Sequence, residues 1–240
     1  MRKLQYRRNN YYTFIILIII YIFEIIINIQ QIMATTRKII VGITGTNGAG
    51  KGTVVERLMN KYQFKHYSVR NYLLSTMEKN GVNNNDRNAM RDTANKLRAE
   101  HSPSYIVEQL LNQALLNGNN DVDEQQQQMS IIESIRVPKE AIALKEKGQG
   151  SFYLLAVDAD PKVRYQRILQ RQSETDNVTY LEFLEQEDAE MVNVEDHKQN
   201  LKKCIEISDA IIYNDQTIDD LNIQIDQFVD SIQHPKISDL

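Results

Sequence analysis

The sequence predicts a doubly wound α/β fold, in which a five-stranded parallel sheet carries helices on both faces. Three observations lead to this prediction. A glycine-rich turn near residue 50 joins an apolar, β-branched segment to an amphipathic helix. Four more apolar segments of strand length follow, and stretches with helical periodicity separate them. Because such alternation is typical of parallel sheets, we expect a ligand site at the carboxyl end of the first strand.

The first 32 residues differ in composition from the rest of the chain. Residues 11–32 are rich in isoleucine, with Glu24 as their only charge, and basic residues precede them. The run is long enough to cross a bilayer, and the preceding basic residues would keep the N-terminus in the cytoplasm. Three interpretations of residues 1–32 stay open: a membrane anchor, a targeting leader, or a gene-model artefact with translation starting at Met33. Residues 33–240 form the predicted functional domain.

A phosphate-binding loop is predicted over residues 45–53. Lys38–Thr44 before it has the composition of a buried strand, and an apolar helical face begins at Val54. The glycines let backbone N–H groups point at phosphate oxygens, at the positive end of the helix. Lys51 would reach the β- and γ-phosphates of ATP, and the Thr53 hydroxyl would meet Mg²⁺. The candidate ATP-binding residues here are Gly45, Asn47, Gly48, Ala49, Gly50, Lys51, Gly52 and Thr53.

The end of this loop carries a first family resemblance. It reads Gly-Lys-Gly-Thr, with Gly52 between the lysine and the threonine. In this feature the loop resembles that of nucleoside monophosphate kinases of the adenylate kinase type, Gly-x-x-Gly-x-Gly-Lys-Gly-Thr. The Asn-Lys-x-Asp signature of GTPases is missing, because the nearest match, Asn95-Lys96-Leu97-Arg98, ends in arginine. The resemblance implies transfer of the γ-phosphoryl group of Mg-ATP to an acceptor.

Arginines cluster after the second predicted strand, residues 64–68. A first helix follows, and after a polar loop Asp86 is the predicted N-cap of a second helix. On the second helix, Arg87, Arg91 and Arg98 lie within about 40° of one another on one face. This arrangement fits either a solvated face or a clamp for an acceptor phosphate. The clamp is favoured because acceptors dock in this segment of P-loop kinases. The candidate acceptor-binding residues are Arg70, Arg87, Arg91 and Arg98.

The third strand, predicted over residues 129–136, carries a second candidate group. A helix that opens at Ser102-Pro103 and a polar Asn/Gln insertion at residues 117–128 precede it. The strand end resembles the Asp-Gly-x-x-Arg region of monophosphate kinases. Glu133 stands at the position of the family's aspartate, and Arg136 stands at the position of its arginine. The resemblance implies that Glu133 is a catalytic and metal-site residue that organises Mg²⁺-bound water, and that Arg136 binds the acceptor. A surface acid at a strand end is the alternative for Glu133.

A fourth strand, residues 152–157, precedes a helix that begins at Asp160-Pro161 and carries a third arginine group. Arg164, Arg167 and Arg171 lie within about 60° on one face. The group resembles the start of the lid in monophosphate kinases, which implies that Arg167 and Arg171 are catalytic. A capping box, Thr179-x-x-Glu182, opens the next helix. The lid is predicted to be short, because that helix carries acids instead of the arginines common in relatives: Glu185, Glu187 and Glu190.

The last strand, residues 210–213, leads into a turn at Asn214. A capping box, Thr217-x-x-Asp220, then opens the final helix. This region closely resembles the C-terminal strand, Asn turn and helix of dephospho-coenzyme A kinases. The resemblance implies that Asn214 lies beside the adenine of ATP, as a further ATP-binding residue.

Composition restricts the partners. The formal net charge of −4 gives no global basis for nucleic-acid binding. The single cysteine excludes an intramolecular disulfide, and none of the four histidines has metal-ligand spacing. We expect a cytoplasmic protein, with membrane anchoring through residues 11–32 as the alternative, and the oligomeric state stays open.

The sequence thus predicts an ATP-dependent phosphotransferase with a nucleotide-like acceptor, of the nucleoside monophosphate or dephospho-coenzyme A class. Two alternatives stay open: a P-loop nucleotide-binding regulatory protein without phosphotransfer, and a membrane-tethered scaffold that uses only the N-terminal segment.

Overall fold

The computed structural model describes residues 16–25, 38–82, 87–117, 128–148, 152–171, 178–195 and 198–234. The chain divides into two compact units. In the first unit the described part is one helix, α1 (residues 16–25), whose residues are exposed. Within the described ranges, no helix has both the length and the apolar character that crossing a bilayer requires. The interpretations of residues 1–32 stay predictions.

The second unit is built on a five-stranded, all-parallel sheet. Its strands are β1 (Ile39–Gly45), β2 (Lys65–Tyr67), β3 (Met129–Ile132), β4 (Phe152–Asp158) and β5 (Ala210–Tyr213). Their order is β2-β3-β1-β4-β5, so β1 lies at the centre between β3 and β4. Helices cover both faces, which confirms the predicted doubly wound fold. The carboxyl ends of β1, β3 and β4 therefore meet at one edge of the sheet.

The helices of this unit connect the strands and pack on the sheet or on one another. They are α2 (Lys51–Tyr62), α3 (Val69–Lys79), α4 (Arg87–Glu100), α5 (Tyr105–Asn117), α6 (Pro138–Lys147), α7 (Pro161–Arg171), α8 (Tyr180–Met191), α9 (Leu201–Glu206) and α10 (Ile218–Gln233). The predicted capping boxes of α8 and α10 are present: Thr179 and Thr217 each accept the backbone N–H three residues on. Residues 118–127 and the predicted N-cap Asp86 lie outside the described residues.

Hydrophobic cores lie on both sides of the sheet, because successive strand residues point to opposite faces. Ile39, Val41 and Ile43 of β1 belong to the core that α2 and α10 cover. Ile40 belongs to the core on the other face, which α5 and α6 cover. A third cluster joins α3, α4 and α5, so the segment after β2 packs on the domain through its own apolar residues.

The region after β3 differs from the prediction. β3 ends at Ile132 instead of continuing to Arg136. Ser134 adopts a left-handed backbone conformation, with φ of +64°, which interrupts the extended chain. The chain still follows β1, because the Ile135 N–H donates to Ile43 O at 3.1 Å and the Thr44 hydroxyl donates to Ile135 O at 2.7 Å. Glu133 and Arg136 therefore lie on a loop at the edge of the sheet.

Two helix boundaries also differ. α5 begins at Tyr105 and not at Ser102-Pro103, because residues 101–104 form turns before the helix. α6 was not predicted, although it has Pro138 at its first position. Glu140, a buried residue in the first turn of α6, caps the start of its own helix. Its carboxylate accepts the backbone N–H groups of Arg136 and Val137 at 3.0 and 3.2 Å.

β5 lies at an edge of the sheet, with β4 as its neighbouring strand. The Gln224 side chain of α10 bonds both backbone groups of Tyr213: it accepts the N–H at 3.2 Å and donates to the carbonyl at 3.0 Å. A helix side chain thus takes the place of a further strand at this residue.

Candidate functional site: the phosphate-binding loop and its surroundings

The phosphate-binding loop (residues 45–53) connects the central strand β1 to α2, as the sequence predicts. Gly45 has φ of +128°, and a Cβ there would lie 2.0 Å from the Val157 carbonyl oxygen of β4. Gly50, which precedes α2, has φ of +97°, and a Cβ there would lie 2.4 Å from Asn214 Nδ2. Glycine is required at both positions, because any side chain would clash and would strain the backbone. The loop can therefore pack tightly between β4 and the end of β5.

Lys51 is the first residue of α2, and its side chain lies against the loop. Its Nζ donates to Gly45 O at 2.9 Å and to Thr46 O at 2.6 Å. The pKa of Lys51 is lowered to about 7, mainly by burial and then by the positive charge of Arg136. A negative phosphate beside Lys51 would raise this pKa again, because its charge stabilises the ammonium form.

Three side chains hold the loop from outside. The Thr46 hydroxyl donates to Asp158 Oδ1 at 2.6 Å, at the end of β4. Asn214 Nδ2 donates to Ala49 O at 2.8 Å, and Arg164 Nη1 donates to Asn47 O at 3.3 Å. Asp158 was not among the predicted site residues, although its position as an acid at the end of a buried strand was a signal for it. These contacts fix the loop before any ligand binds.

Glu133 follows β3 and faces the loop. Its Oε1 accepts the Ser68 hydroxyl at 3.0 Å and lies 3.4 Å from His66 Nε2. Contact with His66 is the main influence that lowers the pKa of Glu133 below its ordinary value, with further contributions from Ser68 and Lys51 that outweigh burial. The carboxylate is therefore ionised near the phosphate-binding loop at neutral pH. Ser68 and His66 were not predicted, since both contacts depend on the pairing of β2 with β3.

Two arginines beside the loop pair with acids of α8. Arg164 Nη1 lies 2.5 Å from Glu187 Oε1, and the Arg164 side chain is almost fully buried. Arg136 Nη1 lies 3.0 Å from Glu190 Oε2, and both of these side chains are about one-third exposed. From the sequence, these acids were noted only because they replace the lid arginines that are common in relatives. The structure makes them the partners of two arginines near the loop.

Arg167 and Arg171 occupy different positions on α7. Arg167 Nη2 donates to Asn214 Oδ1 at 3.4 Å, which connects α7 to the residue that holds the loop. Arg167 Nη1 is buried and has no hydrogen-bond partner among the described residues. Arg171 is the last residue of α7 and is exposed. Arg167 is therefore connected to the phosphate-binding loop through Asn214, which donates to Ala49 O.

Of the four candidate acceptor arginines that follow β2, the structure describes the side chains of two, Arg70 and Arg98. Arg98 Nη2 lies 2.8 Å from Oε1 of Glu140, whose side chain is 1% exposed. Arg70, in the first turn of α3, is exposed and has no charged partner among the described residues. The side chains of Arg87 and Arg91 lie outside the described part, although their backbone belongs to α4.

A cleft of about 350 Å³ lies between β2, α3 and α5. Its lining is mostly polar and includes His66, Ser68, Asn71, Thr76, Lys79 and Gln113. Because His66 and Ser68 also contact Glu133, the cleft adjoins the acid that follows β3.

The oxygen donors near the loop suit Mg²⁺. Thr53 lies in the first turn of α2, and Glu133 offers an ionised carboxylate. No group of three or more His, Cys, Asp or Glu side chains arranged to hold a metal occurs among the described residues. A Mg²⁺ ion that is shared with substrate phosphates usually has only one or two protein ligands, because water molecules and phosphate oxygens fill its other coordination positions.

The chain matches the AAA domain family over residues 41–193. A UPF0200 protein from Methanothermobacter thermautotrophicus is 28% identical over 153 residues, which cover 64% of this chain and 72% of the relative. A UPF0200 protein from Methanococcus maripaludis is 27% identical over 181 residues, which cover 75% and 90%.

Solved structures share the fold. The protein TT1252 from Thermus thermophilus superposes with a TM-score of 0.51 at 18% identity, covering 80% of this chain and 97% of its own. A candidate kinase from Chloroflexus aurantiacus gives a TM-score of 0.50 at 16% identity, covering 82% and 97%. At such identities the likeness shows the fold alone. The family match spans more than half of the chain and contains the phosphate-binding loop, so this protein belongs to the AAA domain family and is a P-loop protein.

Proposed function

We propose that the protein transfers the γ-phosphoryl group of Mg-ATP to a small nucleotide-like acceptor. The observation that carries this proposal is the arrangement around Lys51. The loop lysine, Arg136 and the ionised Glu133 all lie at the carboxyl edge of the sheet and influence one another electrostatically. Phosphoryl transfer needs this kind of site, because catalysis depends on alignment and on neutralising phosphate oxygens.

The residues divide into roles on this proposal. The loop N–H groups and Lys51 hold the β- and γ-phosphates, and Arg167 uses its unpartnered Nη1 near the transferring group. Thr53 and Glu133 would hold Mg²⁺, which when bound supplies positive charge to the phosphate oxygens. An acceptor oxygen forms a bond to the γ-phosphorus while the bond to ADP breaks. Arg171 and the adenine contact of Asn214 stay predictions of the resemblance.

For the acceptor, the described contacts favour Arg136 over Arg98 of α4. Arg136 is partly exposed and lies beside Lys51, and the polar cleft between β2, α3 and α5 adjoins Glu133. Arg70 is exposed in the first turn of α3, the helix that lines this cleft. Arg98 is left out of this proposal, because it is bonded to a buried carboxylate. A nucleoside monophosphate or dephospho-coenzyme A offers the phosphate that such arginines bind.

A second candidate function is nucleotide binding without transfer. The observation in its favour is that Arg98, Arg136 and Arg164 are each paired with a glutamate. A site whose cations are already neutralised has less charge to offer to a transferring phosphoryl group.

The test is a turnover assay of the full chain with Mg-ATP and a panel of nucleoside monophosphates, deoxynucleotides and dephospho-coenzyme A. We expect one acceptor to raise ADP release, and Lys51→Ala to reduce it by about 10³-fold or more, because a cation at the transferring phosphate is worth several kcal/mol. Lys162→Ala, an exposed lysine on α7, is the matched control and should keep full turnover. Near-normal turnover in folded Lys51→Ala would refute the kinase proposal. Mg-ATP binding without turnover on any acceptor would favour the second candidate.

A further inference from the structure

Two acids of α8 face the phosphate-binding loop from one side of the helix. Glu187 and Glu190 are three residues apart, which places them on the same side. Glu187 pairs with Arg164, and Glu190 pairs with Arg136. The pKa of Lys51 is lowered by burial and then by Arg136, whereas Glu190 opposes that change, so both members of the second pair lie close to the loop lysine.

The two pairs differ in how firmly they are held. The Arg164 side chain is 4% exposed, and its Nε and Nη1 also donate to the carbonyl oxygens of Ala159 and Asn47 at 2.7 and 3.3 Å. Arg136 and Glu190 are 33% and 29% exposed. Charges in contact with water can exchange partners at low cost, whereas a buried pair cannot. Arg164 with Glu187 is therefore a fixed attachment of α8, and Arg136 with Glu190 is an exchangeable one.

We infer that Glu190 is an intramolecular competitor for the anion site at Arg136, and that an incoming phosphate monoester must displace its carboxylate. This inference rests on the proposed function, since it assigns the Arg136 guanidinium to the acceptor phosphate. A phosphate dianion carries more charge and more acceptor oxygens than a carboxylate, so it can displace Glu190 where a carboxylate ligand cannot. Glu190 thereby selects phosphate monoesters over carboxylates at this site.

The exchange does not require α8 to unfold. The helix stays attached through Glu187, and Phe183 packs under the Arg164 guanidinium at 5.5 Å from its ring centroid. The Tyr165 hydroxyl donates to Val178 O at 2.9 Å, just before the helix. A rotation of the Glu190 side chain is enough to release Arg136.

The test compares the binding of inorganic phosphate and of Mg-ATP to the full chain and its Glu190→Gln variant, by calorimetry at constant ionic strength. Glu190→Gln should bind inorganic phosphate about fivefold more tightly, as expected on losing one partly exposed competing charge pair. The matched control is Glu185→Gln, an exposed acid of the same helix, which should bind phosphate as the wild type does. Glu190→Ala should show the same gain as Glu190→Gln.

A double-mutant cycle separates competition from a general change in charge. In an Arg136→Gln background, Glu190→Gln should give no gain in phosphate affinity. An equal gain in that background, or in Glu185→Gln, would overturn the inference, because the effect would then not pass through Arg136. If the wild type binds Mg-ATP and Glu190→Gln binds phosphate no more tightly than the wild type does, this inference is overturned but the proposed function is not. A wild-type chain that binds neither probe would refute the proposed function itself.

Discussion

Arg98, a predicted acceptor residue, forms an ion pair with the buried carboxylate of Glu140. Glu140 Oε2 accepts two backbone N–H groups at the start of α6, and Oε1 accepts two bonds from the Arg98 guanidinium. Arg98 thus joins α4 to the loop that carries Arg136. The pair predicts a structural role for a residue whose sequence position indicated acceptor binding.

Arg98→Ala should lower the free energy of unfolding by about 2–4 kcal/mol, because it leaves a buried carboxylate without its cation. Arg98→Lys should lose less, since it keeps the charge but not the paired contacts of the guanidinium. Chemical denaturation measures both changes. Arg70→Ala is the control, and it should change stability by no more than about 0.5 kcal/mol, because Arg70 is exposed. Unchanged stability in Arg98→Ala with a raised acceptor KM would instead favour the acceptor role.

At the residue scale, the sequence predicted the groups whose positions depend on local chain geometry. Lys51 and Thr53 belong to a strand, turn and helix that are continuous in sequence, so their spacing alone locates them. Asp158, Glu140 and Glu190 contact residues that are 42 to 112 positions away in the sequence. Which acid meets which arginine depends on strand order and on how the helices pack, and neither is encoded by spacing.

At the scale of single elements, the amide of Gln224 protects the edge of the sheet at β5. Gln224→Ala should reduce the free energy of unfolding by about 1 kcal/mol, the value of an exposed pair of hydrogen bonds, and should promote association through β5. Denaturation and light scattering measure the two effects. Gln227→Ala, at an exposed position of the same helix, serves as the control. Equal behaviour of the two variants would show that Gln224 does not protect the edge.

The elements were predictable where periodicity and capping agree. The capping boxes of α8 and α10 and the strands β1, β4 and β5 have complete local signals. α6 was missed because its capping carboxylate, Glu140, lies inside the helix and no Ser, Thr, Asp or Asn marks its start. The end of β3 was misplaced because Ser134 leaves the extended conformation without a glycine to indicate it.

For the whole molecule, the alternation of strands and helices predicted a parallel, doubly wound sheet, and the structure shows that its strand order is β2-β3-β1-β4-β5. Apolar residues on both sides of each central strand required two cores, and both are present. The predicted fold was therefore available from pattern alone. The distribution of charge at the carboxyl edge was not, because similar numbers of acids and bases can be paired in many ways.

The lowered pKa of the loop lysine has a consequence for the protons that the protein exchanges with its buffer. With a pKa of about 7, Lys51 is largely uncharged at pH 8. A bound triphosphate would raise that pKa towards its ordinary value, because its negative charge favours the ammonium form. Nucleotide binding at pH 8 should therefore take up about one proton, and uptake should vanish near pH 5, where Lys51 is already charged. Calorimetry in buffers of different ionisation enthalpy counts these protons. If Lys51→Met still takes up a proton when it binds nucleotide, the proton goes to another group.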